Sequence, residues 1–288
     1  MSGEPRPGTA SGHLRFTLAD RVQHGVMLVS FVLLALTGLP QRYVYLNSRR
    51  VDGLIDLMGG LEAVRVAHRV AAVALMLVTI WHLLSLAERV WVRRDALSML
   101  PRLSDLRDAW QSVRYNLGRA AARPRMGRFT WEEKLEYWSL VWGTLVMIAT
   151  GFMLWNPIAT ARFVPGEFIP AAQVVHSGEA LLAVLAVLVW HFYAVHVRSF
   201  NRSMFTGRLS EAEMEHEHPL ELAERRAPRH EPDAAALRKR RRVFTPAAAA
   251  VTVLLLLGLY WFVSFEQTAI TTRPPGASRA PSGPAPRS

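Results

Sequence analysis

Apolar residues in this chain are not spread as a soluble core would require. They gather in five runs, at about 22–40, 64–87, 135–155, 171–197 and 245–265. A helix needs roughly 20 apolar residues to cross about 30 Å of hydrocarbon. The pattern therefore predicts an all-α integral membrane protein, with a four-helix transmembrane bundle over 15–200 and a fifth C-terminal transmembrane helix over 244–266. The first run follows a polar stretch with Asp20 and Arg21 and lacks a small-residue cleavage site, so it reads as a retained helix and not a signal peptide. Residues 1–14, rich in Gly, Pro and Ser, and the Pro-rich tail 267–288 read as disordered. The charged segment 201–243 contains EAEMEHEHPLELAERR, which reads as a surface helix broken at Pro219.

Charge adds a direction. The formal net charge is +11, and residues 88–134 carry eleven Lys/Arg against six Asp/Glu, whereas 156–170 hold only Arg162 and Glu167. After the fourth run comes RKRRR at 238–242. The positive-inside rule then expects the N-terminus, the 88–134 loop and 198–243 in the cytoplasm, and 41–62, 156–170 and the tail outside, in the periplasm. The basic balance is thus a topology signal compatible with contact to anionic lipid. No groove-reading motif accompanies it, and no nucleic-acid partner is expected.

The sequence contains no cysteine, which excludes thiolate-bound iron–sulfur clusters, covalently attached c-type haem and a Cys-based zinc site within this chain. Histidine is the remaining candidate. Six of ten fall in or beside the spans: His24, His68, His82, His176, His191 and His196. Ionisable side chains in a bilayer are expensive and default to a functional reading, against a neutral imidazole bridging two helices. His216 and His218, set among glutamates, read as polar surface, with metal binding the alternative.

A weak internal repeat organises the six. Spans two and four each carry a His at one end and a Trp-His pair near the other, while spans one and three exit through LALTGLP and MIATGFMLW. Counting back thirteen residues from Thr37 and Thr150 reaches His24 and Tyr137. His68 to His82 is fourteen residues and His176 to His191 fifteen; at about 100° per residue both pairs stay roughly on one helix face, about 21–22 Å apart along the axis. One metal ion cannot join the members of such a pair. Two ligand layers can use them, with facing helices supplying the second ligand in each, and neutral imidazole is a usual axial ligand to haem iron. Topology puts His68 with His176 at the outer level. The inner level has three candidates, His24, His82 and His191, with His191 the common member. His196 lies about 200° round from His176 and reads as an interfacial or haem-propionate contact.

The stretch RFTLADRVQHGVMLVSFVLLALTG, followed in order by VRVAHRVAAV, EKLEYWSLVWGTLVMIATGFMLWNP and VVHSGEALLAVLAVLVWHFYAVH, resembles the bacterial di-haem cytochrome b family. That family includes the gamma subunit of respiratory formate dehydrogenases, the b-type cytochromes of nickel–iron hydrogenases and bacterial cytochrome b561-like proteins. The likeness covers about residues 15–225. It implies two haem b groups, one held by His24 with His191 on the cytoplasmic side and one by His68 with His176 on the periplasmic side. This sequence departs from the formate dehydrogenase pattern in its fifteen-residue spacing in span four, where fourteen is usual, and in carrying His82 as an alternative haem ligand.

Supporting residues follow. Gly38 and Gly151, at matched exits, suit the approach of a flat macrocycle or simple helix packing. Arg21, Arg65 and Arg69 suit haem propionates or interface anchoring. Trp81, Trp138, Trp142 and Trp190 fit aromatic belts. Glu179, one turn from His176, calls for a partner or a proton-handling role. The expected function is a membrane-anchoring cytochrome b subunit of the bacterial inner membrane. It carries electrons between the quinone pool and a periplasmic iron–sulfur subunit or multihaem cytochrome c, with no catalysis of its own outside a quinone site near His24, Glu133 and Lys134. A histidine-relay transporter or proton conductor, and a haem-free scaffold, are the alternatives.

Overall fold

A computed structural model describes residues 12–45, 49–198, 200–228 and 233–264, so most of both expected disordered ends lies outside the described residues. A short strand β1 (His13–Leu14) leads into α1 (Leu18–Tyr45), α2 (Arg49–Leu57), α3 (Gly60–Glu88), α4 (Leu103–Asn116), α5 (Trp131–Trp155), α6 (Pro157–Thr160) and α7 (Phe168–Ala186). Then come α8 (Ser203–Thr206), strand β2 (Arg208–Leu209), α9 (Glu211–Glu217), α10 (Pro219–Arg226) and α11 (Ala234–Ser264). Five helices are long and apolar enough to cross a membrane: α1, α3, α5, α7 and α11, with α3 and α7 extended by π-helical turns to Arg93 and Arg198. α1 packs chiefly on α3 and α5 on α7, with α1 also meeting α7. Their outward faces carry exposed Leu33, Leu36, Leu182 and Leu185, surface that hydrocarbon solvates.

The first and third spans begin with the same device. In α1, the Thr17 hydroxyl and backbone N–H donate to Asp20 at 2.8 and 2.9 Å, and the Asp20 N–H returns a bond to the hydroxyl. In α5, Thr130 and Glu133 form a capping box, the Glu133 N–H donating to the Thr130 hydroxyl at 3.2 Å and the Thr130 N–H to Glu133 at 2.8 Å. Each box satisfies helix N–H groups that have no carbonyl partner inside the helix. Thr17 and Thr130 are 113 residues apart, as are Thr37 and Thr150, so the repeat runs the full length of the two spans.

The 211–226 stretch forms the surface helix broken at Pro219 that its composition suggested, but with an inner face that packs inward. The 200–228 segment folds as a cap over the starts of α1 and α5. β2 pairs antiparallel with β1, His13 opposite Leu209 and Leu14 opposite Arg208, which also draws residues 13 and 14 out of the expected disordered end. Leu209, Met214 and Leu222 form a small apolar core. Beside it, the Arg15 guanidinium bonds Glu221 at 2.7 Å and Glu133 at 3.3 Å, and Glu221 also receives Arg128 at 3.0 Å and Arg225 at 2.6 Å. Burial pulls the Glu221 carboxyl upward, but the Arg225 hydrogen bonds and the charges of Arg15, Arg225 and Arg128 outweigh it and leave its pKa below the usual value.

Pro219 does break the helix, by opening α10 at its first turn, where a missing N–H costs nothing. His218 at the break is only 1% exposed, and its Nδ1–H donates to the Gly127 carbonyl at 2.9 Å. The expectation of polar surface fails here because two short helices meeting at an angle bury their junction. α11 likewise starts eleven residues before the apolar run, so that Arg238–Arg242 are already helical. There Arg241 pairs with Glu88 at 2.9 Å and Arg240 donates to the Val92 carbonyl at 3.2 Å, tying the fifth helix to the end of α3.

Candidate functional site

Four of the six span histidines meet in two facing pairs. His68 on α3 and His176 on α7 have ring centroids 6.4 Å apart, and His24 on α1 and His191 beyond α7 have theirs 6.5 Å apart. Two imidazoles bonded to one metal ion from opposite sides at about 2.0–2.1 Å place their centroids roughly 6.3 Å apart. Both pairs match that span.

Hydrogen bonding fixes the tautomer in the first pair. Thr37 donates its only hydroxyl hydrogen to the Leu33 carbonyl at 2.6 Å, and Thr150 donates its own to the Val146 carbonyl at 2.6 Å. Each hydroxyl must therefore accept from the neighbouring ring, His68 Nδ1 at 2.9 Å and His176 Nδ1 at 2.8 Å. The proton sits on Nδ1, and Nε2 keeps its lone pair, as a metal-binding imidazole requires. The following glycine completes the arrangement. A Cβ on Gly38 would stand 3.0 Å from His68 Cε1 and one on Gly151 would stand 3.4 Å from His176 Cε1. The two glycines make room for the imidazoles.

The second pair is built differently. His191 Nδ1 faces a carboxylate, Glu136 Oε2 at 3.1 Å, while Glu136 Oε1 is buried without a hydrogen-bond partner. His191 lies in a π-helical turn, Val187–His191. Such a turn takes up one residue more than an α-turn. It thereby absorbs the fifteenth residue of the His176–His191 spacing and keeps both rings on the bundle side.

His82 is engaged at both ring nitrogens. The Gln23 amide donates to the Ser85 hydroxyl at 2.9 Å, its Oε1 lies 3.2 Å from His82 Nδ1, and His82 Nε2 lies 3.1 Å from the Tyr137 hydroxyl. Tyr137 is the repeat counterpart of His24, as Glu136 is of Gln23. The second level therefore holds one facing His pair and, at the related place, a closed His–Tyr hydrogen bond.

The remaining expected residues are placed as follows. Arg21 donates from Nε to the Met204 carbonyl at 3.3 Å and from Nη2 to the Phe205 carbonyl, tying α1 to the cap. Arg65 stands 4.0 Å from Glu62, and Arg69 stacks over Trp155 at 5.1 Å. Arg42, which the sequence reading did not select, donates to the Ser177 carbonyl beside His176 at 2.7 Å. His196 packs between Phe192 and Phe200. Glu133 serves the α5 cap and Arg15, and buried Lys134 pairs with Asp105 at 2.7 Å. The Glu179 carboxylate fits against α5 where Gly143 leaves room, since a Cβ there would meet it at 2.8 Å. Among the described residues no group of three or more His, Asp or Glu side chains is gathered to hold a metal ion, so the sites rest on pairs. Thr37, Thr150 and Glu136 escaped the sequence reading as functional residues, although the repeated Thr-Gly exit was a usable signal.

Membrane-length helices that present facing imidazole pairs, with the tautomer of one pair held by buried hydroxyls, define the class of membrane b-type cytochromes. A family model described as prokaryotic cytochrome b561 matches residues 15–207, and the chain belongs to that family. It is similar to the cytochrome b556(Fdn) subunit of the nitrate-inducible formate dehydrogenase of Escherichia coli K12, 20% identical over 206 residues that cover 72% of this chain and 88% of the relative. It is also similar to the formate dehydrogenase cytochrome b556(fdo) subunit of the same organism, 21% identical over 217 residues covering 72% and 90%. The chain is a multi-pass membrane cytochrome b of electron transport.

Proposed function

We propose that this chain is the membrane subunit of a respiratory oxidoreductase and carries electrons between a periplasmic redox partner and the quinone pool, with two haem b groups in its bundle. His68 with His176 hold one iron and His24 with His191 the other. The observation that carries this reading is the matched pair of Thr-to-Nδ1 hydrogen bonds, which leave Nε2 of His68 and His176 free at the centroid spacing of a shared metal. Haem iron, when bound, supplies reversible one-electron transfer. The chain's own part is to fix ring orientation, exclude water from between the helices and set the charge next to each ring. His82, with both nitrogens hydrogen-bonded, is the less suited ligand opposite His191. Arg65 and Arg69 frame the His68 end and Arg21 and His196 the other, where propionate carboxylates need cationic or hydrogen-bonding neighbours.

The positive-inside distribution supports a cytoplasmic N-terminus and cap and a periplasmic C-terminus in a bacterial inner membrane. The His24 and His191 pair is then the cytoplasmic-side site, and quinone exchanges electrons beside it, near Glu133 and Lys134. The relatives' names point to a formate dehydrogenase-like assembly, with an iron–sulfur subunit as the exported partner and a multihaem cytochrome c as the other chemistry that fits. The test is the reduced-minus-oxidised spectrum of the purified chain with its haem-to-protein ratio. A b-type spectrum at a ratio of two is expected, and no b-type absorption refutes the reading. For the quinone position, Glu133→Gln with Lys134→Met is expected to slow quinone turnover; unchanged turnover removes these residues from that site.

A further inference from the structure

Helix α4 carries an apolar stripe left exposed among the described residues. Leu103, Leu106, Trp110, Val113 and Leu117 fall at helical spacing on one face, and Leu103, Leu106, Trp110 and Leu117 are 63 to 86% exposed. The opposite face is bound to α5. Asp105 accepts from Lys134 Nζ at 2.7 Å and Ser112 Oγ accepts from Trp131 Nε1 at 3.1 Å, while just before the helix the Met99 carbonyl accepts from Trp138 Nε1 at 2.9 Å. Trp131, Lys134 and Trp138 line one side of the first two turns of a membrane-spanning helix. From Trp131 to Trp138 is about 10 Å of helix axis. The α4 segment therefore does not stand above the membrane entry of α5 but lies beside it, with the stripe turned outward and away from the bundle.

A helix at that height meets the bilayer boundary. In-plane amphipathic helices bury their apolar face about 5–10 Å into the headgroup and acyl boundary, comparable to the stretch of α5 that α4 accompanies. The flanks fit as well. Exposed Arg102 borders the stripe on one side and exposed Arg107 and Arg114 on the other, and the 88–134 loop around them is strongly basic. Long cationic side chains at the rim of such a face reach lipid headgroups while their stems cover apolar surface.

We propose that α4 is an in-plane membrane helix whose Leu103 to Leu117 stripe lies among lipid chains at the bilayer boundary and whose Arg102, Arg107 and Arg114 engage anionic headgroups. The inference is independent of the haem reading and rests only on α5 crossing the membrane. Because the chain has no cysteine, single labels are specific. Leu106→Cys and Leu117→Cys on the stripe, and Ser104→Cys off it, are spin-labelled in the full chain and reconstituted in vesicles of phosphatidylcholine with or without phosphatidylglycerol.

The stripe labels are expected to relax preferentially with dissolved oxygen and the Ser104 label with a water-soluble nickel chelate. Stripe labels that meet the nickel chelate as readily as the Ser104 label refute the proposal, and so do stripe labels shielded from both reagents, which would mean that protein covers this face. Phosphatidylglycerol is expected to deepen the stripe labels in the parent chain and not after Arg102, Arg107 and Arg114 are all replaced by Gln; equal depth in both lipids for the parent removes the headgroup contacts. Near-native melting of each variant shows that the fold survives the change.

Discussion

Replacing Thr37 by Val tests the tautomer argument directly. Val keeps the β-branched shape, so the packing of α1 changes little, but it removes the hydroxyl that accepts from His68 Nδ1 at 2.9 Å in a position only 3% exposed. The buried N–H then loses this acceptor, at a cost of up to about 3 kcal/mol. With a tenfold change in equilibrium constant per roughly 1.4 kcal/mol, that agrees with the roughly 10–100-fold loss of metal affinity seen when an outer hydrogen-bond partner is removed. Gly38→Ala acts on the same ring by a different route, since its Cβ would press on His68 Cε1 at 3.0 Å, whereas Gly151→Ala makes ordinary contact at 3.4 Å. The expected order of haem loss is therefore Thr37→Val and Gly38→Ala ahead of Gly151→Ala. Haem content by pyridine haemochrome and the rate of haem loss to an excess of apo-acceptor measure it, with low-temperature EPR to identify which centre has changed. If Thr37→Val holds both haems at the parental rate with an unchanged EPR signal, the hydroxyl does not orient a ligand and the tautomer argument fails.

His24→Leu is expected to remove one of two b-type signals, whereas His82→Phe breaks only the Gln23 and Tyr137 contacts and leaves both; the reverse outcome makes His82 the ligand. Glu136→Gln takes a negative charge from beside His191 Nδ1, so the haem held by His191 becomes easier to reduce. We expect about a tenfold shift in its reduced-to-oxidised ratio, close to 59 mV for one electron, with the His68–His176 haem unmoved; redox titration reads both. The cap should loosen in mild acid. Burial, reinforced by the Arg15 charge, holds the His218 pKa below 6.5, so the unfolded chain takes up this proton before the folded one does. The contribution of His218 is complete above pH 6.5 and declines as pH falls through 6.5 toward the depressed folded value. The Glu221 contribution, from a carboxyl held below 4.5, is lost only below pH 4.5. Corrected for the intrinsic slowing of amide exchange with falling pH, the protection of 208–226 is thus expected to drop between pH 7.5 and 5.5, and His218→Gln to flatten the change; equal protection factors at both pH values in the parent chain contradict the sign.

The facing histidines were legible because an imidazole in an apolar run stands out, and because the period of a helix decides which of them share a face. The partners of those rings were not. Thr37 and Thr150 read as ordinary helix residues until the neighbouring helix puts a ring nitrogen on each hydroxyl. Glu136 is hidden in the acidic first turns of α5, where carboxylates are favoured by the helix dipole alone. The inner face of the cap was hidden for the same kind of reason: a Glu- and Arg-rich composition says solvent until the long-range pairs Arg15–Glu221 and Arg128–Glu221 enclose the charges.

By itself the sequence determined that this is a helical membrane protein of five spans, with histidine as the candidate carrier of its chemistry. Span length and the cost of ionisable groups in hydrocarbon are local properties of a single segment. Only the tertiary structure decided which of His24 and His82 faces His191 and which hydrogen-bond partner each ring nitrogen has. It set the His68 and His176 rings against Gly38 and Gly151, and it closed His82 onto Tyr137 while leaving His24 opposite His191. The physical reason is that the facing of two rings depends on the separation of side chains on different helices, and that separation is set by packing and by one π-turn, neither of which the order of residues along a span expresses.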